Sequence, residues 1–233
     1  MNFDITDVIQ YGTRLLIIFT ILPIHEYAHA WMAKRQGDDT ALYSGRLTLN
    51  PISHIEPIGA LLLFFTGFGW AKPVPVNPLR FKKQRKGMAL TALAGPVSNL
   101  ICAFVGFVAL KILTNTNLFN EMLVEYVLDD NYMFLLFDIL YYFVIINIGL
   151  AIFNLIPIPP LDGSKILSYF TPAKFDRFIY QNQQIIYIIF IFLLVSPILS
   201  TPLGWIRDGV YGLFDLITFF IPTGDFGAVR YGM

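Results

Sequence analysis

The sequence predicts an all-α polytopic membrane protein of about four to six membrane segments, and three observations support that class. The 233-residue chain is 56% hydrophobic and 16% aromatic with a mean hydropathy of +0.62, more apolar surface than a single soluble domain hides from water. Runs almost free of charge recur at 8–33, 88–110, 139–161 and 185–206, each long enough for the ~20 helical residues that cross a hydrocarbon core. The intervening segments differ in sign, basic within 34–86 and 163–182 and acidic at 114–131, as expected of loops on opposite faces. A small membrane-associated β-sheet or re-entrant hairpin is expected between the first two confident spans. The chain, 1–233, reads as one membrane-embedded domain with a core of about 8–170, C-terminal spans at about 183–221 and a flexible tail at 222–233.

The first run is apolar except for Arg14 and a cluster at 25–29, and Lys34 and Arg35 close it. Its flank lacks the basic start and cleavage site of a signal peptide, so this span is expected to be retained. Pro23 removes an amide from the helix interior and frees the Phe19 carbonyl, which favours a local distortion. Residues 43–50 alternate like a strand. Residues 57–70 are apolar but too short and Gly-punctuated for a full crossing, and Pro73, Pro75 and Pro78 then suit an extended edge. Arg80, Lys82, Lys83, Arg85 and Lys86 form the densest basic cluster, which is expected to face the cytoplasm. The 88–110 run is uncharged. The 139–161 run ends in Asn154-Leu155-Ile156-Pro157-Ile158-Pro159-Pro160-Leu161-Asp162-Gly163, where three prolines and a glycine must break the helix. After 185–206, the shorter run 210–221 is either interfacial or a further crossing.

Net charge is zero and no basic domain stands apart, so no nucleic-acid partner is expected. The single Cys102 lies in an apolar run and forms neither an internal disulfide nor a thiolate cluster.

The chemistry concentrates in His25-Glu26-Tyr27-Ala28-His29, which places two of the three histidines and a carboxylate inside a span. On a helix His25 and His29 lie about 40° apart in azimuth and roughly 6 Å apart along the axis, so one metal ion can reach both. Glu26 falls on the adjoining flank, where it can take a proton from a water at the metal without ligating it, as the HExxH motif of zinc hydrolases requires. The charge bias directs the first and third spans the same way, and both end at the cytoplasmic face. The histidines and Asp162, more than a hundred residues apart, are therefore assigned one membrane depth.

These residues resemble the site-2 protease family of intramembrane zinc metalloproteases. The resemblance rests on His25-Glu26-Tyr27-Ala28-His29, Gly95-Pro96-Val97-Ser98-Asn99 and the Asn154 to Gly163 stretch, in that order, and runs from about residue 15 to 170. It implies Asp162 as the third ligand of one zinc ion per chain, with Glu26 as the catalytic residue. It also implies hydrolysis of peptide bonds in or next to transmembrane segments of membrane-protein substrates, in a multi-pass protein of a prokaryotic plasma membrane with its site toward the cytoplasm. The partners expected are those substrates and the lipid bilayer. A short member is expected, without PDZ or CBS domains. Asn154, Asn99 and His54 are candidates for substrate, transition-state or ligand-orienting contacts. A membrane metal transporter and a non-catalytic scaffold are the alternatives.

Overall fold

The structure, a computed structural model, describes residues 5–66, 69–116, 135–196 and 198–222. Among the described residues three helices are long and apolar enough to cross a membrane: Tyr11–Arg35, Gln84–Thr114 and Phe137–Asn154. The first is composite. Helix α1 (Ile5–Leu16) passes through a π-helical turn (Ile17–Ile21) into α2 (Leu22–Arg35). The Leu22 amide reaches back five residues to the Ile17 carbonyl, and Pro23, which has no amide to give, sits in the first turn of α2. The widened turn thus falls where proline breaks the regular ladder.

After the single turn α3 (Thr40–Tyr43) and the ten-residue α4 (Pro57–Thr66), the chain enters α5 (Gln84–Thr114). This 31-residue helix is the central post, packed against α2, α6 (Leu135–Asn154) and α7 (Asp162–Phe170). Helices α8 (Ala173–Gln181), α9 (Gln183–Val195) and α10 (Ser200–Ile217) follow. A core of Ala103, Phe107, Leu110, Phe137, Val144, Ile148, Ile152, Tyr211 and Phe214 joins α5, α6 and α10. Phe107 meets Tyr211 edge-on at 4.8 Å between ring centroids. Gly106 brings α5 close to α6, because a Cβ there would stand 3.0 Å from Phe143 and Val144. Outward residues such as Ile101, Val105, Ile188 and Phe192 stay exposed, as lipid-facing positions would be.

Three sequence expectations are corrected. The β-sheet or hairpin between the first two spans is not found: among the described residues there is no strand, Tyr43 ends α3, 44–50 is turn, bend and irregular chain, and 69–77 is irregular. The physical reason lies in where the amides point. Lys72 N–H donates to the His54 carbonyl (2.9 Å), Val74 N–H to Glu26 Oε2 (3.0 Å) and Asn77 N–H to Asp38 Oδ2 (2.6 Å). Pro73 and Pro75 have no amide, so no row of donors is left for a ladder. The Arg46 guanidinium, donating to the Lys72 carbonyl, joins the two segments through a side chain instead.

The third span ends at Asn154 rather than 161, with the prolines of 155–161 in an irregular turn. The 185–206 run is two helices, because Ser196 precedes Pro197 and takes the extended backbone (φ −81°, ψ 150°) that a pre-proline residue prefers. Most of 210–221 belongs to α10. The acidic loop from 117 and the tail from 223 lie outside the described residues.

Candidate metal centre

Three buried side chains converge where α2, α5 and α7 meet. His25 Nε2 and His29 Nε2 are 2.9 Å apart, and Asp162 Oδ2 lies 3.3 Å from the first and 3.1 Å from the second. Ligands about 2.0–2.1 Å from a tetrahedral zinc ion stand about 3.3 Å from one another. The triangle is close to that size.

The two rings approach edge-on, 86° between planes, and α5 meets their Nε2 and Cε1 edges at Gly95, which has no side chain. A Cβ on Gly95 would lie 2.5 Å from His29 Nε2 and 2.6 Å from His25 Cε1. Asp162 arrives by a similar close approach. It is the first residue of α7, and the adjacent Gly163 sits where a Cβ would be 2.3 Å from the Leu155 carbonyl oxygen. That is the physical content of the Asp-Gly pair: the turn after α6 folds back so tightly that the residue beside Asp162 has room for no side chain. Lys165 Nζ holds the other carboxylate oxygen at 3.1 Å.

The far side of each ring fixes its proton. His29 Nδ1 is 2.7 Å from the Thr91 carbonyl oxygen, which only accepts, so Nδ1 carries the hydrogen. His25 Nδ1 is 2.5 Å from Asn99 Oδ1. The amide orientation of Asn99 follows from the groups behind it: Asn99 Nδ2 donates to Asn147 Oδ1 (2.8 Å), and Asn147 Nδ2 donates to the Phe143 carbonyl (2.8 Å). A relay anchored on a backbone oxygen therefore makes His25 Nδ1 the donor. In neutral imidazoles both Nε2 atoms then present lone pairs, aimed at each other and at a carboxylate oxygen. A cation is the natural occupant of such a meeting point, and two imidazoles with one carboxylate suit zinc.

Glu26 projects from the same turn of α2, and its Oε2 accepts the Val74 N–H at 3.0 Å. One carboxylate oxygen is thus held by the 71–77 segment. Asp38 anchors that segment further along, accepting from Thr40 as well as from Asn77. Burial opposes ionisation of Asp38, but the hydrogen bonds from Thr40 and Asn77, aided by Arg80, hold its carboxyl below the usual carboxylate range.

Of the other residues singled out in the sequence, Asn99 touches the triad and the other two bond elsewhere. Asn154 Nδ2 donates to the Leu150 carbonyl one turn back (2.9 Å). His54 is buried and bonds the Thr48 carbonyl through Nε2 (2.8 Å), with no partner for Nδ1 among the described residues, and it lines a small cavity with Ile18, Leu22, Glu56 and Trp70. Sequence reasoning passed over Asn147 and Thr91. Asn147 had a signal, an amide in the middle of an uncharged membrane run, since such groups face protein partners. Thr91 acts through its backbone, which no residue type announces.

Residues 13–197 match Peptidase family M50. The chain belongs to that family, the site-2 protease family. It is 40% identical over 207 residues to "Putative zinc metalloprotease YwhC" of Bacillus subtilis, covering 87% of this chain and 90% of that protein. "Putative zinc metalloprotease Rip2" of Mycobacterium tuberculosis is 30% identical over 201 residues, 84% of this chain and 70% of Rip2. "Putative zinc metalloprotease MJ0611" of Methanocaldococcus jannaschii is 28% identical over 176 residues, 71% of this chain and 78% of MJ0611. No solved structure matches. The M50 match spans all three triad residues and Glu26.

Proposed function

We propose that this M50 chain is an intramembrane zinc metalloendopeptidase that cleaves membrane-protein substrates in or next to their transmembrane segments, near the cytoplasmic face. The observation that carries the proposal is the convergence of His25 Nε2, His29 Nε2 and Asp162 Oδ2 at 2.9–3.3 Å, with Glu26 on the same helical turn of an apolar span.

His25, His29 and Asp162 would hold the zinc, which when bound polarises a carbonyl and acidifies water. The remaining work belongs to the chain. Glu26 is the general base, then the acid that returns the proton to the leaving amine. The Val74 amide keeps its carboxylate from swinging away. Asn99 and Asn147 hold the His25 ring at one tautomer, and the Thr91 carbonyl does the same for His29.

Location limits the substrate. A helix hides its carbonyls in its own ladder, so a scissile bond reaching this depth must be locally unwound. Lys34, Arg35 and the 80–86 cluster, at the end of α2 and the start of α5 nearest the triad, support the cytoplasmic side.

The test is purified protein in proteoliposomes with a model transmembrane substrate. Wild type should cleave it, and Glu26→Gln should retain zinc while losing cleavage. Cleavage by Glu26→Gln at the wild-type rate would exclude the mechanism, and zinc flux without cleavage would favour a transporter.

A further inference from the structure

Helix α8 (Ala173–Gln181) lies outside the metal centre and buries none of its residues. At 100° per residue, Phe175, Phe178 and Ile179 share one face, Arg177 and Gln181 lie opposite, and Lys174 and Asp176 flank them. Protein covers that apolar face only in part: Phe178 is 57% and Phe175 36% exposed, and Ile179 is half-buried. A nine-residue helix with exposed phenylalanines on one side and cations on the other does not rest well in water.

What surrounds it indicates the cover. Arg85, at the start of α5, pairs with Asp176 and donates to the Thr171 carbonyl (2.8 Å). The pair docks α8 beside the basic entry to α5 and neutralises the one acid of α8. Lys82, Lys83, Lys86, Lys174 and Arg177 are all exposed, and among the described residues none of them forms an ion pair. Lys82 N–H also approaches the Gln36 carbonyl (3.4 Å), just past the end of α2, where Arg35 covers the half-exposed Trp31 ring at 4.8 Å. Tyr169 and Phe170, just before α8, and Tyr180, in its last turn, are exposed. Aromatic rings and cations mixed at one end of the apolar helices mark the level of a membrane interface, and α9, one residue beyond α8, is itself apolar.

We propose that α8 is an interfacial anchor whose Phe175, Phe178 and Ile179 face enters the headgroup–acyl boundary while Lys82, Lys83, Lys86, Lys174 and Arg177 bind the phosphates of anionic phospholipids. A basic cluster alone would record only topology. The partly exposed apolar face that Arg85 ties to it adds a surface for the acyl chains, and the cations select negatively charged headgroups.

The test labels Phe178→Cys, in a Cys102→Ser background, with an environment-sensitive fluorophore in vesicles of phosphatidylcholine alone or with phosphatidylglycerol. The expected result is blue-shifted emission, quenched by nitroxides high on the acyl chain and shielded from aqueous iodide. Unshifted, iodide-quenched emission overturns the anchor. Shielding that vanishes when vesicles carry one chain each overturns it in favour of a second copy. In the unlabelled protein, replacing Lys82, Lys83, Lys174 and Arg177 by glutamine should weaken the preference for spin-labelled phosphatidylglycerol over phosphatidylcholine roughly fivefold per charge. An unchanged preference overturns the headgroup assignment.

Discussion

Replacing Gly95 by alanine separates the metal centre from the fold that carries it. The added Cβ would lie 2.5 Å from His29 Cε1 and Nε2 and 2.6 Å from His25 Cε1, where ordinary contact begins at 3.4 Å. The rings must therefore withdraw about 1 Å. They cannot do so freely, because the Thr91 carbonyl and Asn99 hold them from behind at 2.7 and 2.5 Å. A metal site tolerates about 0.2 Å in its ligand distances, and a 1 Å misplacement at a reacting centre costs about 100-fold in rate. Zinc affinity and cleavage should both fall by at least that factor. The helix itself should gain, since alanine is favoured over glycine in a helix interior by about 1 kcal/mol. The assay pairs zinc content by mass spectrometry with substrate cleavage and thermal unfolding in detergent. Gly149→Ala is the control, as its Cβ would meet nothing within 4 Å. Full zinc and full activity in Gly95→Ala would refute the close approach of α5 to the histidines.

Other expectations address the supports of the site. Asn147→Leu cuts the relay that fixes the His25 proton, and equilibrium dialysis should show zinc bound about 10–100-fold more weakly, while the metal-free protein loses about 1–3 kcal/mol because the buried Asn99 Nδ2 is left without its acceptor. The folded-state pKa of Asp38 is depressed, so the stability it contributes is complete above about pH 4 and lost as pH falls through the lower folded value. The gap in unfolding temperature between wild type and Asp38→Asn should accordingly close at acid pH. Lys111, buried in α5, pairs with Asp215 and reaches the Thr218 and Ile221 carbonyls at 3.3 Å. Lys111→Ala should destabilise the protein by about 2 kcal/mol in denaturant titrations, because it strips the end of α10 of its cation.

Much of this was legible because membranes and metals impose spacing. The apolar runs announced the three long helices, and the i, i+4 spacing announced that His25 and His29 face one point. Charge bias and the Asn154 to Gly163 stretch placed Asp162 at the same depth. The sheet was misread because alternation at 43–50 and the prolines from 73 to 78 report side-chain pattern and say nothing of where amides point, and here Glu26, Asp38 and the His54 carbonyl take those of 72–77. Asn154 attracted more attention than Asn147 because it lies in a recognisable motif, yet Asn147 is the one bonded toward His25 through Asn99. Gly95 and Gly163 were visible as letters, but only the packed helices show that a methyl group has no room beside the histidines or the Leu155 carbonyl.

The most direct measurement is zinc K-edge X-ray absorption on purified wild type and Asp162→Ala. The expected wild-type spectrum has two imidazole nitrogens and carboxylate or water oxygens at about 2.0–2.2 Å, no sulfur, and one zinc per chain. Asp162→Ala should lose the carboxylate contribution and most of the metal. A wild-type spectrum lacking the imidazole signature, or one that Asp162→Ala leaves unchanged, would contradict a centre built from His25, His29 and Asp162.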